Sequence, residues 1–238
     1  MKLFKKKNKE ENLITPEFKE FEEIYNLCKP YTMTGIERMF ALYKATEYIV
    51  KNNIEGDFVE CGVWRGGSSM VILKTLQKFN VTNRKIWLFD TYEGMSEPTE
   101  DDKDFTNLSA DKQLQKSKKD ADSFIWAYAT LEDVKKNIEL TKYPLENVHF
   151  IKGKVEDTIP EKNYFNHCSL LRLDTDWYES TKIELEYFYP LLQKNGVMII
   201  DDYGHWQGCK KAVDEYFATQ NFYPLLQRID YTGRIMTK

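Results

Sequence analysis

No run of apolar residues in this 238-residue chain approaches the roughly 18 needed to cross a bilayer, so no stable membrane insertion is expected. Met1 to Asn12 are rich in lysine and lack the apolar stretch of a secretory signal. They read as a solvated tail, with a membrane-surface contact through Lys5, Lys6 and Lys7 as the alternative. A basic excess is missing too. Lys and Arg number 34 against 38 Asp and Glu, a formal charge of −4, which argues against nucleic acid as a partner. The four cysteines, Cys28, Cys61, Cys168 and Cys209, form no C-x-x-C pair, which excludes a zinc or disulfide framework and suits reduced thiols in the cytoplasm. Motif absences narrow the chemistry further. Trp64 stands where a dinucleotide loop needs its second glycine, no Gly-Lys-Ser/Thr phosphate loop occurs, and no nucleophile elbow or partnered histidine supports hydrolase chemistry.

What is present is a core-forming composition, 42% hydrophobic with 14% aromatic, and an alternation of strand and helix patterns. Apolar residues recur at helical spacing over Phe18 to Cys28 and Gly35 to Asn52, with Thr34 a candidate cap. Short apolar strands follow at Asp57–Cys61, Lys85–Phe89, Val148–Ile151, Ser169–Leu173 and Val197–Ile200. Helices are expected near Ser68–Phe79, Ser180–Leu192 and Cys209–Ala218, and a closing hairpin at Phe222–Gln227 and Gly233–Met236. Such alternation predicts an α/β fold: a mostly parallel sheet with helices on both faces and an antiparallel end. No repeat or Gly/Ser linker divides the chain. Residues 1–30 read as a tail and helix, and residues 31–238 as one domain. Thr91 to Thr130 interrupts the rhythm with about forty mixed-charge residues, the length of a functional lid or an idle insertion.

Acidic residues end four strands: Glu60, Asp90, Asp174 and the pair Asp201-Asp202. In an open α/β sheet that edge is where ligands bind. The loop Glu60-Cys61-Gly62-Val63-Trp64-Arg65-Gly66-Gly67-Ser68 suits a ligand with an amino-acid end, since glycines admit close backbone approach and Glu60 can anchor polar groups. Asp90, some thirty residues on, stands where a carboxylate accepts the hydroxyls of an adenosine ribose. Asp174, Asp201 and Asp202 follow successive strands, and converging carboxylates repel unless protonated or bridged by a cation. An all-oxygen set selects a hard ion, so Mg²⁺ fits better than Zn²⁺. Such an ion can activate a substrate hydroxyl, with Asp176 in reach to take the proton. His205 is a candidate to orient substrate or share the base role, although a lone loop histidine is often incidental.

The blocks Thr32-Met33-x-Gly35, Gly56-Asp57-Phe58-x-Glu60-x-Gly62-Val63-Trp64-Arg65-Gly66-Gly67, Asp90-x-x-x-Gly94, Leu173-Asp174-x-Asp176-x-Tyr178-Glu179-Ser180-Thr181 and Asp201-Asp202-Tyr203 resemble the macrocin O-methyltransferase family. The resemblance implies a class I methyltransferase (Rossmann-like) fold with a seven-stranded sheet and S-adenosylmethionine as donor. It also implies Mg²⁺ on Asp174, Asp201 and Asp202, Asp176 as general base and Asp90 at the ribose. The implied donor-binding set is Thr32, Met33, Glu60, Gly62, Trp64, Arg65, Gly66, Ser68 and Asp90, with Asp157 in an adenine-side motif where Lys154-Val155 replaces the usual aromatics. The acceptor implied is a sugar hydroxyl of the antibiotic or surface-polysaccharide type. A catechol-type methyltransferase acting on a phenolic diol, an NAD-dependent sugar enzyme and a non-catalytic adenosine-ligand binder are the rival readings. Homo-oligomer formation stays open.

Overall fold

The strands form where β-branched and large apolar residues run consecutively, because a strand covered on both faces has no polar side to show. The computed structural model describes residues 15–120, 123, 125–220 and 222–238, so the lysine-rich tail lies outside the described residues. Two helices come first, α1 (Pro16–Cys28) and α2 (Ile36–Lys51). Then β1 (Asp57–Cys61), α3 (Gly67–Lys78) and β2 (Ile86–Asp90) open the sheet. After β2 the chain runs through α4 (Ala110–Lys116) and α5 (Leu131–Glu139) to β3 (Val148–Lys152) and α6 (Val155–Glu161). It then continues through β4 (Cys168–Leu173), α7 (Tyr178–Phe188), β5 (Leu192–Ile200) and α8 (Gln207–Thr219), and closes with β6 (Gln227–Arg228) and β7 (Arg234–Thr237).

The seven strands lie in the order β3-β2-β1-β4-β5-β7-β6; the first five are parallel, and β7 runs antiparallel to both β5 and β6. This is the expected α/β sheet with an antiparallel end. The strand order reverses between β1 and β4, and ligands in such sheets bind at that crevice. Alternation along the strands sends Phe58, Leu88, Leu170 and Ile199 to one face, into a core shared with α1, α2 and α3. Val59, Phe89, Leu171 and Ile200 face the other way, toward α7 and α8. Phe21 and Cys28 of α1 are fully buried in the first core, so α1 belongs to it rather than hanging from it.

Several boundaries differ from the sequence reading. Thr34 does not cap α2: Gly35 is the N-cap, and the Thr34 hydroxyl instead accepts from Arg172, 3.2 Å. β5 starts at Leu192, where α7 was expected to end, because Leu192 pairs with Cys168 ahead of a register shift. Phe222 to Leu226 form no strand, and Tyr223 and Leu225 project into solvent.

One polar contact crosses the sheet interior. Register places Glu60 of β1 opposite Arg172 of β4, on the face toward α2. Arg172, 2% exposed, donates to Glu60 (2.7 Å) and Asp201 (2.8 Å) and lies 2.6 Å from Asp174. Three carboxylates from neighbouring strands thus converge on one guanidinium, whose fork of donors suits them. Removing one member of such a set strands uncompensated charge. Arg172→Leu is expected to lower unfolding free energy by about 3–5 kcal/mol; a urea denaturation midpoint unchanged from wild type would contradict this.

Candidate functional site

The strand C-termini frame two adjoining cavities. The first, with about 660 Å³ of free space, is walled by the glycine loop (Gly62, Trp64), Asp90, Gly94 to Ser96, Ala127, Gly153 to Glu156, Asp174 to Asp176 and Ser180. The second, about 1020 Å³, lies over the ends of β4 and β5. Its walls carry Thr32, Met33, Arg38, Ser68, the acids Asp174, Asp176, Asp201 and Asp202, and His205, Trp206 and Tyr231. Met33, Trp64, Asp174 and Asp176 belong to both walls.

The glycine loop reaches this position by close backbone contact. Gly62 has φ +81°, and a Cβ there would sit 1.9 Å from the Asp174 carbonyl oxygen, so only glycine lets the β1 loop pass the β4 loop. Asp90 braces the same loop. One carboxylate oxygen accepts from the amides of Val63 (2.6 Å) and Trp64 (3.0 Å), the other from Tyr92 (2.6 Å). Burial nevertheless pushes the Asp90 carboxyl upward. Trp64 takes a left-handed backbone, φ +47°, and its buried indole nitrogen has no hydrogen-bond partner among the described residues.

Not every expected donor-side residue reaches a wall. Met33, Gly62, Trp64 and Asp90 line the first cavity, and Thr32 and Ser68 line the second. Glu60 lies beneath the site, fully buried between Arg172 and Ser69, so it cannot anchor a ligand directly. Arg65 is spent on Asp133 at 2.8 Å and lies over the Tyr31 ring, tying the start of α3 to α5. Gly66 caps α3 with a left-handed backbone outside both walls. Asp157 is exposed in the first turn of α6, and its neighbour Glu156, which accepts from the Ser180 hydroxyl at 2.5 Å, lines the cavity instead.

Among the described residues, one acidic group has the spacing to hold a metal ion; it shares Asp174 and Asp202 with the trio read from sequence and has Asp176 in place of Asp201. Asp174, Asp176 and Asp202 each bring a carboxylate oxygen within 4.8 Å of the others. Asp201 faces the same cavity, but its oxygens are taken by Arg172 and, in a very short contact, by Arg38. Arg38 also lies 3.0 Å from Asp230. Burial would raise the Asp201 carboxyl, but Arg172 and Arg38 overcome that and hold it below the ordinary range. Asp174 and Asp202 are pushed well up by burial and by neighbouring negative charge. Burial, with Asp174 and Asp201 adding to it, brings Asp176 to about 7 against a hydrogen bond with Asp202 that lowers it. Asp202 keeps one buried oxygen, Oδ2, without a hydrogen-bond partner among the described residues. An orphaned carboxyl oxygen beside two other acids is the environment a hard cation relieves.

His205 sits across the second cavity with Nδ1 3.2 Å from the Tyr231 hydroxyl, and its ring packs edge-on against Phe105, Trp206 and Tyr231. Burial depresses its pKa, so it stands neutral near pH 7. Arg38 and Arg172 were not singled out as site residues from sequence. The available signal was Arg172 itself, a lone cation within the apolar strand Leu170-Leu171-Arg172-Leu173, which must find buried carboxylates.

Residues 19–238 match the family described as Macrocin-O-methyltransferase (TylF). The chain is 32% identical over 203 residues to the demethyldecarbamoylnovobiocin O-methyltransferase of Streptomyces niveus, covering 85% of this chain and 74% of that one. It is 31% identical over 205 residues to the mycinamicin III 3''-O-methyltransferase of Micromonospora griseorubida, covering 85% and 76%. The structure of the O-methyltransferase NovP superposes with a TM-score of 0.76 at 32% identity, covering 87% of this chain and 82% of that one. The chain therefore belongs to the macrocin-O-methyltransferase family and is an O-methyltransferase.

Proposed function

We propose that this enzyme transfers the methyl group of S-adenosylmethionine to a sugar hydroxyl, with the donor in the first cavity and the acceptor in the second. The observation that carries this reading is the shared wall. Asp174 and Asp176 border both cavities, so an acceptor oxygen held at the acids faces a donor methyl across a single boundary. In-line approach of two such groups is where positioning yields most of its rate. The first cavity has the Gly62 loop for close backbone approach and Asp90 for ribose hydroxyls, while the unpartnered Trp64 indole N–H offers a donor to a ligand. For the acceptor, the relative from Streptomyces olivaceus is named for a rhamnosyl-bearing tetracenomycin, and it is 32% identical over 203 residues. That favours a sugar hydroxyl here.

Asp174, Asp176 and Asp202 are the residues proposed to hold a divalent cation, with Asp201 kept out of the set by its two arginines. An Mg²⁺-type ion, when bound, supplies positive charge that lowers the pKa of an acceptor hydroxyl. Asp176 borders the acceptor cavity, and a carboxylate oxygen left free of the cation is the proposed acceptor of the hydroxyl proton. His205, neutral and placed by Tyr231, orients the acceptor by hydrogen bonding. The four buried, unpaired cysteines favour a reducing compartment, the cytoplasm.

Excess chelator should abolish turnover, and added Mg²⁺ should restore it; full activity in chelator would end the metal assignment. Asp202→Asn should weaken Mn²⁺ binding, followed by titration, at least about 10-fold, and leave S-adenosylhomocysteine affinity within about 3-fold. The acceptor class is read by mass spectrometry across candidate glycosides and catechols. Addition of one methyl group to a glycoside is the expected product, whereas a catechol as the only substrate methylated would replace this reading with the phenolic one.

A further inference from the structure

Asp176 carries the proposed proton-accepting role on a strained backbone, φ +70°, which a non-glycine residue keeps only when its surroundings over-determine it. The next residue, Trp177, is the N-cap of α7 and makes no side-chain capping bond, so the first amides of that helix need acceptors from elsewhere. The insertion supplies one. Asp102, which lies within Thr91 to Thr130 and is fully buried, accepts from the Tyr178 amide at 2.8 Å through Oδ1. Its Oδ2 accepts from the Thr99 amide (2.6 Å) and hydroxyl (2.9 Å), which fixes the carboxylate to its own loop. An anionic acceptor at a helix N-terminus is favoured by both hydrogen bonding and the helix dipole.

The loop bearing Asp102 is itself anchored. The Trp177 indole donates to the Ser96 carbonyl at 3.1 Å, the Gln207 amide to the Lys103 carbonyl at 2.8 Å, and the Gln207 side chain to the Asp104 carbonyl at 2.8 Å. Lys211 pairs with Asp101 at 2.7 Å. Gly208 of α8 makes room for the contact: a Cβ there would meet Asp102 Oδ1 at 1.9 Å. Two helices and the insertion therefore close on a single carboxylate, which binds an amide two residues from Asp176 along the chain.

We propose that Asp102 is a positioning residue for the methyl-transfer reaction: by accepting from the Tyr178 amide it holds Asp176 in its strained, productive orientation at the boundary of the two cavities. It touches neither donor nor acceptor, and the inference rests on the role given to Asp176 above. A catalytic group displaced by about 1 Å can cost on the order of 100-fold in rate. Asp102→Ala is expected to lower kcat about 10- to 100-fold, with KM for donor and acceptor within about 3-fold of wild type. Asp102→Asn keeps an acceptor oxygen and should stay within about 3-fold in kcat. Gly208→Ala should reproduce the Asp102→Ala loss, and the double variant should be no worse than Asp102→Ala, because both changes remove one contact.

Hydrogen exchange at the Tyr178 amide supplies the direct readout, with protection lost in Asp102→Ala and Gly208→Ala and kept in Asp102→Asn. Unchanged kcat in Asp102→Ala, or equal protection in all variants, overturns the proposal. If Asp102→Ala does not fold, Gly208→Ala and Asp102→Asn decide it by the same two measurements. Should wild-type enzyme methylate no glycoside, the functional reading fails by itself, while the exchange measurement still reports whether Asp102 holds the Tyr178 amide.

Discussion

A single buried guanidinium holds the strand ends together. Arg172 faces carboxylates from three adjacent strands or the turns that follow them, Glu60, Asp174 and Asp201, with almost no water to share the load. Such an arrangement persists only if every partner is present, because each member left alone is a bare charge in a low-dielectric interior. The negative charge thus gathered is divided in two. Arg38 and Arg172 neutralise Asp201, while Asp174, Asp176 and Asp202 are left with more acceptor oxygens than protein donors. Asp174 belongs to both halves, since Arg172 also reaches it at 2.6 Å.

This division accompanies two adjoining cavities on one sheet edge. On the β1–β3 side, acids are satisfied by backbone: Asp90 is committed to the amides of Val63, Trp64 and Tyr92, so it shapes the loop that borders the first cavity. On the β4–β5 side, Asp202 keeps an unpartnered oxygen among the described residues and faces a cavity rimmed by His205, Trp206 and Tyr231. The same residue type is braced by backbone amides on one side, where Asp90 still borders the first cavity, and left underpaired on the other; the difference lies in the nearby donors.

Much of this was legible in the sequence because it was local. Strand runs, the glycine loop and the acids after Leu173 and Ile200 carry their own pattern, and the parallel sheet follows from alternation of elements. What sequence could not resolve was pairing across strands. Asp201 and Asp202 are neighbours in the chain, and only the register that sets Arg172 between Glu60 and Asp201 shows which of the two is consumed by a salt bridge. Asp157 and Glu156 pose the same problem on α6, where one residue of helix rotation decides which acid meets the cavity. The insertion was readable as an interruption, while its side-chain contact with the Tyr178 amide was not, since that contact spans 76 positions.

Gly62 leaves no slack between two loops: its α-carbon lies so near the Asp174 carbonyl that a methyl group has no room, and the Asp174 amide donates back to Cys61 at 2.9 Å. The loop beside the first cavity and the loop carrying the acids therefore behave as one rigid body. Movement in either is passed to the other, whereas Tyr231, in the turn between β6 and β7, borders the second cavity from a separate element. The acid-bearing edge is thus packed without slack, while the outer rim is carried by other elements.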